Sequence, residues 1–300
     1  MKTLFALLGP TGVGKTSLSL SLAELLHSPV ISADSRQIYR DIPIGTAAPT
    51  TEELARAHHY FIGTRNLDED YSAARYEADA MAVVNDEFTR HDHLLLCGGS
   101  MLYIDALCHG IDDLPSVDPA LRRHLRQRLE TEGLEVLLEE LHQFDPVWYA
   151  RIDTNNPRRV LHALEICLQT GQPYSSLLGH REKRPFNIVK IGLYRSREDL
   201  YQRIDNRVDQ MLADGLIDEA RRVYPLRHLN ALQTVGYREL FTHFDGSCTL
   251  DEAARQIRHN TRVYARKQQT WFNRDAATVW FHADQTEAIC HFVTDQVHLV

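Results

Sequence analysis

Eight residues near the front of the chain, GPTGVGKT (Gly9–Thr16), constrain its fold more than any other stretch. They satisfy GxxxxGK[ST], and they sit between an apolar run, TLFALL, and a segment of helical periodicity, KTSLSLSLAELL. A strand, a glycine turn and a helix in that order is the context that separates a phosphate-binding loop from a chance glycine turn. Glycines let backbone N–H groups turn toward phosphate oxygens, and the helix start adds positive potential. Gly9, Pro10, Thr11, Gly12, Val13, Gly14, Lys15 and Thr16 therefore form the predicted cradle of a di- or triphosphate, with Lys15 neutralising charge and the Thr16 hydroxyl available to Mg2+.

The residues around the loop place it in an α/β sheet. PVISAD and HLLLCGG read as further buried strands alternating with helical segments, which is the rhythm of a parallel sheet with helices on both faces. Ligands in such sheets bind beyond the carboxyl ends of the strands, so the loops at Gly9, Asp34 and Gly98-Gly99 should converge. From about Leu114 to Arg184 the pattern is helix only. Asp118-Pro119 and Asn156-Pro157 open helices that Gly133 and Gly171 close, before NIVKIGLY returns to strand character. The predicted organisation is a core over 1–114, an all-helical insertion over 115–185, and completion of the core over 186–300.

Net charge is −8, yet all of the excess acid falls within 1–114; the other two segments are each neutral. RQIRHNTRVYARKQQTWFNR (Arg255–Arg274) carries six basic residues and no acid, so a local basic face is compatible with the global deficit. Five scattered cysteines with no CxxC pattern predict reduced thiols in a cytoplasmic protein. The apolar part of MKTLFALLGP is too short for a secretory signal and runs into the glycine loop, and no apolar run reaches membrane-spanning length. Nothing in the sequence points to oligomerisation, and a monomer is expected.

Three further groups carry chemistry. An ordinary ATP-hydrolysing loop protein has a metal-binding acid at the end of a neighbouring apolar strand, and HLLLCGG has none. Asp34, in ISADSRQ, is instead the carboxylate beside the loop; it can bind metal, accept a proton from a nucleophile, or cap a turn. In LYQRIDNRVDQM, Arg203 and Arg207 share one helical face, suited to a diphosphate or to solvent, while Leu200, Ile204, Val208 and Met211 form the buried stripe. Beyond Thr249-x-x-Glu252, a capping box, Arg255, Arg258, Arg262 and Arg266 recur at helical spacing with Tyr264, Trp271 and Phe272, a pattern suited to RNA phosphates and unstacked bases. His58-His59 and His91-Asp92-His93 lack the partners a metal site needs.

In order along nearly the whole chain, GPTGVGKT, ISADSRQIYRDIPIGTA, AHHYFI, GGSMLYIDAL, NPRRVLHALEI, LYQRIDNRVDQML, GLIDEA, QTVGYREL and TRVYARKQQTWFNR closely resemble the blocks of the tRNA dimethylallyltransferase family. That resemblance implies a P-loop NTPase-like core whose loop holds dimethylallyl diphosphate, and a prenyl transfer to the exocyclic amine of the adenine 3′ to the anticodon. It implies Asp34 as proton acceptor, Lys15, Thr16 with Mg2+, and Arg203 at the leaving pyrophosphate, and Arg207 beside it. It also implies tRNA contacts from Asp34, Ser35, Arg36, Gln37 and Ser100, and from Arg158, Arg159, Val160, Leu161 and His162 in an insertion that clamps the anticodon stem-loop; Arg262 joins them from the basic stripe. The family's usual GGTGLY is GGSMLY here, with Met101 at a position usually glycine; Ala48 and His162 replace common basic residues, and ARKQ replaces AKRQ. The nearest rival readings are a prenyltransferase acting on free AMP or ATP, which needs no large insertion, and a P-loop small-molecule kinase.

Overall fold

Strands β1 (Thr3–Leu8), β2 (Val30–Ala33), β3 (His59–Tyr60), β4 (His93–Gly98), β5 (Asn187–Tyr194) and β6 (Val279–His282) form one sheet in the order β3-β2-β4-β1-β5-β6, with every pair parallel. The computed structural model describes residues 2–112, 114, 115, 117–179 and 183–298. β1 is central because all six of its residues are apolar or small enough to be buried, and it pairs with β4 on one side and β5 on the other. Alternate side chains feed two cores. Leu4, Ala6, Leu8, Ile31 and Leu96 face one layer of helices, and Phe5, Leu7, Val30, Leu95 and Ile191 face the other. Burial on both faces is why these strands read as continuous apolar runs instead of alternating ones.

The chain divides into two compact units, Met1–Cys108 with Arg184–Val300, and His109–Lys183. The first is a P-loop NTPase-like fold. Its helices begin where the sequence places caps: Ser196 accepts the Asp199 N–H ahead of Arg197–Ala213, and Thr249 and Glu252 close a reciprocal capping box ahead of Leu250–Phe272. Sequence patterning passes over β3 and β6, which span two and four residues and are too short to show a period.

The regular structure of the second unit, among its described residues, is all helical: Pro119–Glu132, Leu134–Phe144, Pro146–Tyr149 and Pro157–Thr170, followed by a 3-10 turn at Tyr174–Leu177. Leu125, Leu137, Leu141, Val160, Leu164 and Ile166 make its core. Buried Asp145 ties it together, accepting from the N–H of Trp148 at 2.9 Å and from the N–H and hydroxyl of Ser175 at 2.6 and 2.8 Å. A buried carboxylate holding three donors is fully compensated.

Candidate active site

Beyond Leu8 the chain turns through Gly9–Gly14 into the helix Lys15–Leu26. Gly14 caps that helix at φ 111°, a left-handed conformation that a side chain would strain. Lys15 Nζ donates to the carbonyls of Gly9 at 2.8 Å and Pro10 at 2.9 Å, so its ammonium lies folded over the loop. Burial pulls its pKa down from 10.5 to about 8; the fields of Cys97 and Asp34 oppose that pull and the field of Arg207 adds to it. Burial also raises the pKa of the Cys97 thiol, and the nearby Lys15 opposes that rise.

The loop forms one wall of a cavity of about 540 Å³ that brings together Lys15, Thr16, Asp34, Arg203, Arg207 and Tyr264. Asp34 follows β2. Its Oδ1 accepts the N–H groups of Arg36 at 2.8 Å and Gln37 at 3.2 Å, so the turn-capping role and a place in the cavity coexist in one carboxylate. Ser100 Oγ accepts the Ser35 N–H at 2.7 Å and thereby pins that turn to the loop after β4. The ends of β2 and β4 approach so closely that a Cβ on Gly98 would lie 2.2 Å from the Ala33 carbonyl oxygen. No side chain fits at position 98, which accounts physically for the absence of a carboxylate there.

A ring of arginines and one glutamine holds the loop from the other side. Arg195 Nε donates to Val13 O at 2.8 Å, Arg203 Nε to Gly12 O at 3.0 Å, and Arg207 Nη1 reaches Thr11 Oγ1 at 3.5 Å. Arg203 and Arg207 lie on the helix Arg197–Ala213, whose buried residues are Leu200, Ile204 and Val208. Burial lowers the Arg207 pKa and the nearby Asp34 charge offsets part of that effect. Gln268, only 2% exposed, accepts the Thr11 N–H at 2.8 Å and donates to Gly99 O at 2.7 Å. Sequence reasoning assigned no role to Arg195 or Gln268. Both act on residues roughly two hundred positions away, and no local spacing signals that.

The sequence profile of the IPP transferase family matches residues 37–275. The chain belongs to the IPP transferase family. A relative from Parabacteroides distasonis, tRNA dimethylallyltransferase 2, is 54% identical over 298 residues, spanning 99% of this chain and 100% of its own. Among solved structures, the full-length tRNA isopentenylpyrophosphate transferase from Bacillus halodurans shares 36% identity at a TM-score of 0.75, covering 99% of this chain and 97% of its own. A eukaryotic dimethylallyltransferase captured acting on tRNA aligns at a TM-score of 0.83 and 27% identity over 94% of this chain and 74% of its own.

Within this family member, several residues expected at an RNA surface have other partners. Arg258 and Arg262 are ion-paired with Asp209 and Asp205 of the helix Arg197–Ala213, and the Arg262 guanidinium also stacks on Tyr201 at 5.0 Å. Arg262 therefore joins two helices instead of standing free for RNA. Trp271 donates to Asp105 at 2.8 Å and Phe272 is in the core, so Tyr264 is the aromatic of that helix that reaches the cavity, its pKa pushed up by burial to about 12. Arg36 donates to the carbonyls of Asn230 and Ala231, and Gln37 to those of Thr46 and Ala47, so both brace loops of the core. In the helical unit, Val160 and Leu161 are buried in the apolar core, whereas Arg158, Arg159 and His162 are exposed. Among the described residues, no group of three His, Cys, Asp or Glu is placed to hold a metal, and no helix is long and apolar enough to cross a membrane. All five cysteines are free thiols.

Proposed function

We propose that this chain transfers the dimethylallyl group of dimethylallyl diphosphate to the exocyclic amine of the adenine 3′ to the anticodon in tRNA, releasing pyrophosphate. The observation that carries this reading is the meeting, in one cavity, of a diphosphate cradle, the cations Lys15, Arg203 and Arg207, and the Asp34 carboxylate. The diphosphate lies against the backbone N–H groups of Gly12–Thr16, with the Lys15 ammonium and Arg203 and Arg207 around it. The adenine leaves its stack to enter the cavity from the other end. Its amine lone pair attacks the allylic carbon as the carbon–oxygen bond to diphosphate breaks, and the amine proton passes to Asp34. The cations stabilise charge that grows on the leaving oxygen, so they act more strongly in the transition state than in the ground state.

The Thr16 hydroxyl, at the start of the helix that follows the loop, is the oxygen donor that would hold a hard cation such as Mg2+. When bound with the diphosphate, that ion supplies further charge neutralisation at the leaving group. The chain is read as a monomer acting in the cytoplasm. A kinase reading is disfavoured by the end of β4, where Cys97 is the side chain that lines the cavity, Gly98 has no room for one, and no metal-binding acid is present.

Asp34→Asn keeps the turn-capping acceptor and removes the proton acceptor. It is expected to slow prenyl transfer by about 10²- to 10⁴-fold with tRNA affinity unchanged. Single-turnover kinetics alongside a tRNA binding titration checks this; a wild-type rate would remove Asp34 from the chemistry.

A further inference from the structure

Among the polar side chains around the cavity, Gln268 and Ser19 are the most deeply buried, each 2% exposed, and the chemistry described above leaves Gln268 without a part. Gln268 projects from the helix Leu250–Phe272, whose arginines pack along the neighbouring helix. Its amide spans the gap between two loops that share no other side-chain bridge among the described residues: Oε1 takes the Thr11 N–H of the phosphate loop and Nε2 gives to Gly99 O after β4. The fit is tight, since a Cβ on Gly99 would lie 2.6 Å from Nε2 and 3.7 Å from Lys15 Nζ. Thr11 is also the residue whose hydroxyl meets Arg207.

We infer that Gln268 is a positioning residue for prenyl transfer, resting on the function proposed above. It acts through the two loops and touches no reacting atom. By engaging the Thr11 N–H, it fixes the first half of the phosphate loop, so that the N–H groups from Gly12 onward and the Lys15 ammonium keep their aim at the diphosphate. By donating to Gly99 O, it sets the distance from that loop to the β4 end, where Ser100 holds the turn carrying Asp34. One amide thus couples the leaving-group side of the cavity to the proton-acceptor side. Precise spacing of reacting groups matters steeply, because displacements near 1 Å cost about 10²-fold in rate.

Gln268→Glu provides a test that a bulk structural role would not reproduce. A neutral carboxyl has the same shape, accepts from Thr11 N–H and donates its proton to Gly99 O; an ionised carboxylate has no proton to give and faces that carbonyl oxygen. The charged or titratable groups lining the cavity are Lys15, Asp34, Glu53, His59, Cys97, Arg203, Arg207 and Tyr264. They are common to all three proteins, and Gln268→Met, which adds no charge, reports what their own titrations contribute to the ratio at each pH.

Single-turnover transfer from labelled dimethylallyl diphosphate to unmodified tRNA would be measured between about pH 5.5 and 8.5 for wild type, Gln268→Glu and Gln268→Met. The expected result is a Gln268→Glu rate about 100-fold below wild type at the alkaline end, recovering to within about fivefold at the acid end. Gln268→Met keeps the volume without either hydrogen bond, and its deficit relative to wild type should not vary with pH. Equal rates for all three proteins, or a Gln268→Glu ratio that stays flat with pH, would overturn the positioning role. Failure of wild type to label tRNA would instead overturn the underlying functional reading. Thermal melts of all three identify a variant that fails to fold, and the pH dependence of the folded Gln268→Glu protein decides the question if Gln268→Met does not fold.

Discussion

Lys15 shows how a single residue's environment sets a working range. In water its ammonium would persist to high pH, but burial brings its pKa to about 8. Below that value the group is charged and attracts diphosphate; above it the ammonium is lost and so is the attraction. Affinity for dimethylallyl diphosphate is therefore expected to fall as pH rises through about 8, approaching tenfold per unit, with proton uptake on binding at alkaline pH. Lys15→Arg keeps its charge and should show no break. Isothermal titration in buffers of different ionisation enthalpy reads both effects, and a wild-type affinity flat to pH 9.5 (about 1.5 units above the break) would contradict them. Asp34 makes a complementary point. Its turn-capping geometry and its place in the cavity are one arrangement, so the alternatives left open by sequence were never exclusive.

At the scale of elements, the helices Arg197–Ala213 and Leu250–Phe272 work as a pair. The first presents Arg203 and Arg207 to the phosphate loop on one face and Asp205 and Asp209 to the second helix on another. The arginine stripe was legible in sequence as a periodicity, but its partners were not, because Asp205 and Arg262 are far apart in the chain and opposite charge on separate helices carries no local signal. Asp205 and Arg262 are about a quarter and a third exposed, so each alanine substitution should destabilise by about 1–2 kcal/mol, less than for a fully buried pair. The double variant should fall short of the sum by about 1 kcal/mol in denaturant titrations. Arg262→Ala should leave the salt dependence of tRNA binding unchanged, and a shallower slope would return that residue to the RNA surface.

At the scale of the whole molecule, much of the architecture is written in local chemistry. TLFALL, PVISAD and HLLLCGG are largely buried and so read as apolar strands, NIVKIGLY reads as one by its β-branched and apolar residues, and Asp118-Pro119 and Asn156-Pro157 mark helix starts by capping chemistry. The candidate site was legible where it is contiguous, in GPTGVGKT and at Asp34. It was illegible where it depends on long-range contact, at Arg195 and Gln268. The strand order that places β1 between β4 and β5 likewise has no local signature. Arg158 and Arg159 are exposed in the helical unit, and neither has a carboxylate partner among the described residues. If both meet phosphates, replacing both with alanine should weaken tRNA binding and reduce the slope of log K against log salt by about 1.5–2, with the rate at saturating tRNA preserved. An unchanged slope would place the RNA contacts of that unit elsewhere.

The most direct test of the proposed activity is to follow label from dimethylallyl diphosphate into tRNA that lacks the modification, with AMP and ATP present as competing acceptors. Label confined to tRNA, at the adenine 3′ to the anticodon, is the expected result. Label in AMP or ATP with none in tRNA, or none in any acceptor, would contradict it.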